Sequence, residues 1–385
     1  MSKVLIRALA TSVLALGLAT PGLAQKSASG SVNGLNWKAE SRIVGKTSTA
    51  TLAAGGNPAY LAAGGNNTGV VALIMEYANG DAFICSGSLL NDRKSILTAG
   101  HCVSGGAGTA NPVRTTAYFH DGSVADPFFN QTANTIEVAS YFVNAGYTGE
   151  VIDQNDIAVL RLKDVAPNFA KSYAISTDSD LTGDNLHVVG WGGRSTVGGA
   201  VGTTPGTGPG RVRQGDNRYD FRLGDSDFGN YFDNFSNADY DFSYLSDFDS
   251  GLAANDASCM VAADAGIGAN AKYCNLGVGD LEVGVAGGDS GGPQFLNGKI
   301  SSVTSYGLTF FGLGDIDCLN AQLCNLNSSF GEFSGYVPTF IHSQFITDAQ
   351  LAAIPEPASW AMMIMGFGLA GVATRRVRSS KVSFA

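Results

Sequence analysis

The chain has 385 residues, 44% of them hydrophobic and 15% charged, so it is too apolar for a disordered chain and long enough for one large or two smaller folded units. Its formal net charge of −10 argues against nucleic acid as a partner, because phosphate binding needs a basic surface. An acidic surface also serves solubility, so the charge leaves a protein substrate open.

In chain order, Met1 to Ala24 comes first. It carries Lys3 and Arg7, an apolar run from Ala8 to Ala19, and small residues at the two positions a signal peptidase reads in Gly22-Leu23-Ala24. It is expected to be a secretory signal peptide, since the run is short for a membrane anchor. Residues 25–42 are small and polar and form a candidate pro-segment. The segments Val70–Tyr77, Phe83–Leu90, Ser95–Thr98, Asp156–Leu162 and Leu186–Gly190 have strand character, as do Val283–Phe295 and Ile300–Leu308. The turn Asn79-Gly80-Asp81 follows the first of them. With 51 glycines breaking short β-branched and aromatic runs, an all-β protein is expected.

The stretch from about 198 to 256 opens Gly/Thr/Pro-rich and then alternates aspartate with aromatic residues, as in Tyr231-Phe232-Asp233-Asn234-Phe235. It suggests a large acidic, aromatic insertion. Asp225 and Asp227 offer oxygens of the kind a hard cation takes. The ordered spacing of an EF-hand is absent, so a solvated loop packed by its own aromatics is the expectation, with no metal and no cofactor.

The chain closes with Ile354-Pro355-Glu356-Pro357, an apolar span from Ala361 to Ala373, and Arg375, Arg376 and Arg378. The span is shorter than the roughly 20 residues of a stable membrane helix, and the basic end should stay cytoplasmic. Residues 354–378 resemble the bacterial PEP-CTERM sorting signal. That resemblance implies export from a Gram-negative cell, transient inner-membrane attachment through a short transmembrane segment, and a sorting protease that removes the tail. The six cysteines form an even set without a CxxC pair, and the four histidines are scattered. In an exported chain this favours disulfides over metal ligation.

Three segments carry chemistry: Leu97-Thr98-Ala99-Gly100-His101-Cys102, Asn155-Asp156-Ile157-Ala158-Val159-Leu160 and Gly287-Gly288-Asp289-Ser290-Gly291-Gly292-Pro293. A serine hydroxyl becomes a nucleophile only when a base takes its proton, and histidine titrates near neutrality. A buried carboxylate holds the imidazole in one tautomer and stabilises the imidazolium. Glycines let backbone N–H groups converge on a developing oxyanion.

Together with Ser86-Gly87-Ser88-Leu89-Leu90, Gly190-Trp191-Gly192 and Val303-Thr304-Ser305-Tyr306-Gly307, these segments make residues 43 to about 346 similar to the chymotrypsin/trypsin family of serine endopeptidases. The resemblance implies two six-stranded antiparallel β-barrels within a domain spanning 43–350. It implies His101, Asp156 and Ser290 as catalytic residues and the amides of Gly288 and Ser290 as the oxyanion hole. Ser305, Tyr306 and Gly307 would pair with substrate backbone. It also implies the disulfides Cys85–Cys102 and Cys259–Cys274, with Cys318–Cys324 as the remaining pair. Cleavage after Arg42 would free Ile43 to pair with Asp289, making the chain a zymogen. Three departures stand out: Ala286 replaces a family cysteine, Lys46 replaces a second glycine, and both gaps between triad members are long. Gly284 stands where trypsin-type enzymes carry an aspartate, so a bulky apolar residue is expected before the scissile bond. Glu332 would disturb that pocket if it pointed inward. The expected partners are protein or peptide substrates, acted on by a monomer. The alternative is a catalytically silent protease-fold binding or extracellular matrix protein.

Overall fold

The computed structural model describes residues 28–352, apart from 34, 41, 63, 107–108, 110, 124, 130–133, 269–271 and 319–323. The expected signal peptide and sorting segment lie outside the described residues. The first strands are β1 (Ala28–Val32), β2 (Leu35–Glu40) and β3 (Arg42–Gly45). Then come β4 (Val70–Glu76), β5 (Ala82–Leu89), β6 (Ser95–Thr98), β7 (Arg114–Tyr118), β8 (Thr135–Val143) and β9 (Ala158–Leu162). These six close into a barrel in the order β4-β5-β6-β9-β8-β7. Val71, Leu73, Met75, Ile96 and Leu160 fill its interior. The turn at Asn79-Gly80-Asp81 joins β4 to β5: Gly80 takes φ +90°, and Asn79 Oδ1 accepts the Asp81 N–H at 3.1 Å.

The second half holds β10 (Asn185–Gly190), β11 (Arg213–Arg218), β12 (Phe221–Arg222), β13 (Tyr244–Asp247), helix α1 (Ala257–Asp264) and β14 (Val283–Ala286). It continues with β15 (Pro293–Leu296), β16 (Lys299–Phe310), β17 (Phe333–Pro338) and helix α2 (Ser343–Leu351). Its strands run β11-β10-β15-β16-β17-β13-β12 in a curled half-barrel, with β2 added on β16 and β1 on β2. Strands β3 and β14 form a separate pair. Val70, Leu97, Val159, Trp191, Val303 and Ile346 make the core shared by the two halves. Among the described residues no helix is long and apolar enough to cross a membrane.

The run expected as one strand over Val283–Phe295 is split into β14 and β15. The intervening loop puts Gly288 at φ +103° and Gly291 at φ +75°, which breaks the ladder. The aromatics of 198–256 are not a solvated loop. Phe221, Phe228, Tyr231, Phe232 and Phe235 are buried together with Tyr273, Phe310 and Phe333. The rings turn inward while Asp227, Asp233, Asp239 and Asp241 stay exposed at the rim, where Asp225 Oδ1 caps a short turn by accepting the Asp227 N–H at 3.1 Å. Asp225 and Asp227 are held by Lys272 Nζ at 2.9 and 3.1 Å. Phe221 is fully buried among four other rings. Phe221→Ala is expected to cost about 3–5 kcal/mol in urea unfolding. A loss below about 1 kcal/mol would show that this cluster is not core.

The three expected disulfides are formed: Cys85–Cys102, Cys259–Cys274 and Cys318–Cys324.

Candidate active site

His101 sits on the 3-10 turn Gly100–Cys102 that follows β6. The Cys85–Cys102 disulfide ties that turn to β5. Asp156 lies in the turn before β9 and is 1% exposed. Its Oδ1 accepts the His101 backbone N–H at 2.7 Å, and its Oδ2 lies 2.7 Å from His101 Nδ1. Gly100 permits this approach, since a Cβ there would stand 3.1 Å from Asp156 Oδ1. Ser305, on β16 of the other half, donates its hydroxyl to Asp156 Oδ2 at 2.5 Å. Burial alone would raise the Asp156 carboxyl. The facing His101 ring, the Ser305 hydroxyl and the His101 N–H outweigh it and hold the group below its ordinary range. An ionised Asp156 accepts a hydrogen bond from Nδ1–H, which holds the ring in that tautomer and leaves His101 Nε2 as the basic nitrogen. That Nε2 is buried and meets no hydrogen-bond partner.

Ser290 is 3% exposed in the loop between β14 and β15. The loop is clamped against the first barrel beside His101. Ser86 N–H donates to the Ser290 carbonyl, and Ser86 Oγ donates to the Gly288 carbonyl, both at 2.8 Å. Ser86 Oγ also accepts the Trp191 N–H at 2.9 Å. A Cβ on Gly291 would stand 2.0 Å from Thr98 Oγ1, so only glycine fits there. The Ser86-Gly87-Ser88 run was legible in the sequence, but its clamping role was not. Likewise Ser305 was expected on the substrate strand, whereas its hydroxyl serves Asp156.

Asp289 is fully buried. Its Oδ1 accepts the Gly192 N–H at 2.8 Å and its Oδ2 accepts the Ala286 N–H at 3.0 Å. A Cβ on Gly190 or Gly192 would stand 2.0 or 2.1 Å from these oxygens, which accounts for the Gly190-Trp191-Gly192 motif. The expected Ile43–Asp289 pair is not assembled in the uncleaved chain. Arg42 and Ile43 continue through β3, opposite Ala286 and Val285.

Gly284 on β14 and Gly307 on β16 border a small cavity with Phe248, Glu332 and Ser334. A Cβ on Gly284 would meet the Phe248 ring at 3.1 Å, so Phe248 occupies the floor. The Glu332 side-chain oxygens accept the N–H groups of Asn327 and Ser328 at 2.8 Å and so shape the loop before β17. The Tyr306 ring is turned into the aromatic core, 1% exposed, with its hydroxyl 2.6 Å from Ser243 Oγ. Its expected part in substrate contact is thereby limited to its backbone.

Comparison with protein families gives two matches. The model described as Trypsin matches residues 27–224, just over half of the chain. The PEP-CTERM protein-sorting motif matches residues 353–378. His101 and Asp156 fall inside the first match and Ser290 beyond it. No curated protein matches the chain.

Proposed function

The chain belongs to the trypsin family, and on that premise we propose that it is a serine endopeptidase with His101, Asp156 and Ser290 as its triad. The observation that carries this reading is the His101–Asp156 pair, joined by Ser305, facing a glycine-rich serine loop. In the proposed cycle Ser290 Oγ attacks the substrate carbonyl carbon while its proton passes to His101 Nε2. Asp156 stabilises the imidazolium, and the N–H groups of Gly288 and Ser290 receive the oxyanion. Collapse breaks the C–N bond, and His101 returns the proton to the departing amine. Water, deprotonated by the same nitrogen, then hydrolyses the acyl-enzyme.

The PEP-CTERM motif marks the chain for export through a Gram-negative sorting system. The finer reading is a signal peptide at 1–24, transient attachment to the inner membrane, release or display at the surface, and action as a monomer. Preference for an apolar residue before the scissile bond is supported by Gly284 and the apolar Phe248 floor, whereas that floor argues against the bulky side chain expected from the sequence.

Cleavage after Arg42 is proposed as the activating step. Burial pushes the Asp289 carboxyl well above its ordinary range, only partly offset by the Gly192 N–H. A carboxyl raised in the folded state stabilises fully below the unfolded value of about 4 and loses that contribution as pH rises toward the folded one. The uncleaved chain should therefore lose thermal stability as pH rises above about 4. The cleaved chain, whose Ile43 ammonium favours the ionised form, should lose less. Equal slopes for the two forms would count against the Ile43–Asp289 pair.

The proposed activity is tested by fluorophosphonate labelling of the protein beginning at Ile43. Labelling of the parent and not of Ser290→Ala is expected. A folded, processed sample that takes no label would overturn the peptidase reading in favour of a surface binding protein.

A further inference from the structure

Three buried carboxylates meet where β13 leads into α1. Asp247 and Asp249 are each 1% exposed, and Asp256, the N-cap of α1, is 4% exposed. One oxygen from each lies within 4.8 Å of the other two. Two oxygens bound to one calcium ion at about 2.4 Å can stand at most about 4.8 Å apart, so the three fit a common ion. Two further acids adjoin them: Asp220 Oδ2 accepts the Asp247 N–H, and Glu282 Oε1 accepts the Asp249 N–H. Among the described residues no Lys or Arg side chain pairs with any of the five at ion-pair distance; Lys46 acts on Asp249 and Glu282 only from farther away.

Packed like charges without a counter-charge are costly in a dry interior. A shared proton relieves part of this, since the Asp220 and Asp247 carboxyls are hydrogen-bonded to each other, but it does not reach every oxygen of the cluster. Asp249 Oδ1 is buried and has no partner. Asp247 Oδ2 accepts the Ser258 N–H at 2.8 Å, and Asp256 Oδ1 accepts the Cys259 N–H at 3.0 Å and the Ser258 hydroxyl at 3.3 Å, which fixes the direction of both carboxyls. We infer that Asp247, Asp249 and Asp256 form a calcium site that ties β13 to α1. Magnesium suits it less, because it retains several waters that a buried cluster has little room for. The disulfide Cys259–Cys274 closes the segment that starts at this site, and that segment runs on to β14 and the serine loop. The inference is independent of the peptidase reading.

Calorimetry on chelator-treated protein should show one calcium ion bound per chain, and the unfolding midpoint should rise with the logarithm of calcium concentration. Asp249→Asn should abolish both responses while remaining, in chelator, as stable as the parent or more so. No calcium heat and no midpoint shift in the parent would overturn the site. An equal response from Asp249→Asn, or a response to magnesium alone, would do the same.

A different observation carries a second inference, which rests on the peptidase reading. Strand β2 adds antiparallel to the free edge of β16, with Glu40 opposite Gly307 and Trp37 opposite Phe310. Arg42 then lies opposite Ala286. The pro-segment backbone thus pairs at Gly307 and runs on along the edge next to the stretch on which a substrate strand would pair, and it reaches both walls of the pocket. The geometry points to the pro-segment as a built-in competitor for extended substrates. It is tested in the full chain carrying Ser290→Ala, which binds without turnover, by titrating an extended apolar peptide. Ala39→Pro, which removes an N–H from β2 and breaks its pairing, should tighten binding at least about tenfold, because a tethered strand competes at an effective concentration on the order of millimolar. Equal affinities with and without proline, or no binding by either chain, would overturn the competitor. Failure of the peptidase reading would appear separately, as absent labelling of the form beginning at Ile43.

Discussion

Ser290→Ala is expected to lower peptide hydrolysis about 10⁶-fold, the size of loss seen when a serine nucleophile is removed from a triad. The reason is the division of labour in the loop. In the proposed cycle Ser290 supplies the only atom that bonds to the substrate carbonyl, while Gly288 and the Ser290 amide are backbone groups the substitution leaves in place. A residual rate of about 10³–10⁴ over water should therefore survive through oxyanion binding. The loop is held by Ser86 through the carbonyls of Gly288 and Ser290, neither of which the alanine removes. The variant should unfold at the parent's midpoint, so the activity loss cannot be ascribed to misfolding. Retention of turnover within about tenfold of the parent would remove Ser290 from the mechanism.

Asp156→Asn should lower kcat by about 10⁴, a magnitude carried over from the same change in this family's triad. Here the cause is specific. The carboxylate receives three hydrogen bonds, from the His101 N–H, His101 Nδ1–H and the Ser305 hydroxyl. An asparagine amide facing Nδ1 donates instead of accepting. The imidazole proton then moves to Nε2, the nitrogen that must accept from Ser290. The geometry persists and the tautomer is wrong. The effect on stability has the same sign as that on rate: the folded site favours the ionised carboxylate, and an asparagine leaves one of its three donors without an acceptor, so the unfolding midpoint should fall. A rate loss confined to KM would mean that Asp156 acts on substrate binding and not on His101.

The chemistry-bearing residues were legible because their reactivity demands local sequence. Glycines flank Ser290 because Gly288 and Gly291 take positive φ and Gly291 abuts Thr98. Small residues flank Trp191 because Asp289 fills the space where two Cβ atoms would stand. Four strands of the first barrel, β4, β5, β6 and β9, were legible from their apolar runs; β7 and β8, with their mixed polar faces, were not. The burial of 198–256 was not, because alternating aspartate and aromatic residues fit a solvated loop and a core-facing segment equally well in one dimension.

The sequence by itself determined the pieces: which residues can act as nucleophile, base and orienting acid, which glycines must bend the backbone, and which strands are apolar enough to bury. Only the tertiary structure decided their relations. It set Ser305 against Asp156 from the opposite half of the molecule. It filled the pocket floor with Phe248, laid β2 on the edge of β16, and gathered Asp247, Asp249 and Asp256 within reach of one ion. Each of these is a contact between segments distant in the chain or between strand edges. Such contacts are settled by packing and pairing across the whole fold, and no local pattern of residues encodes them.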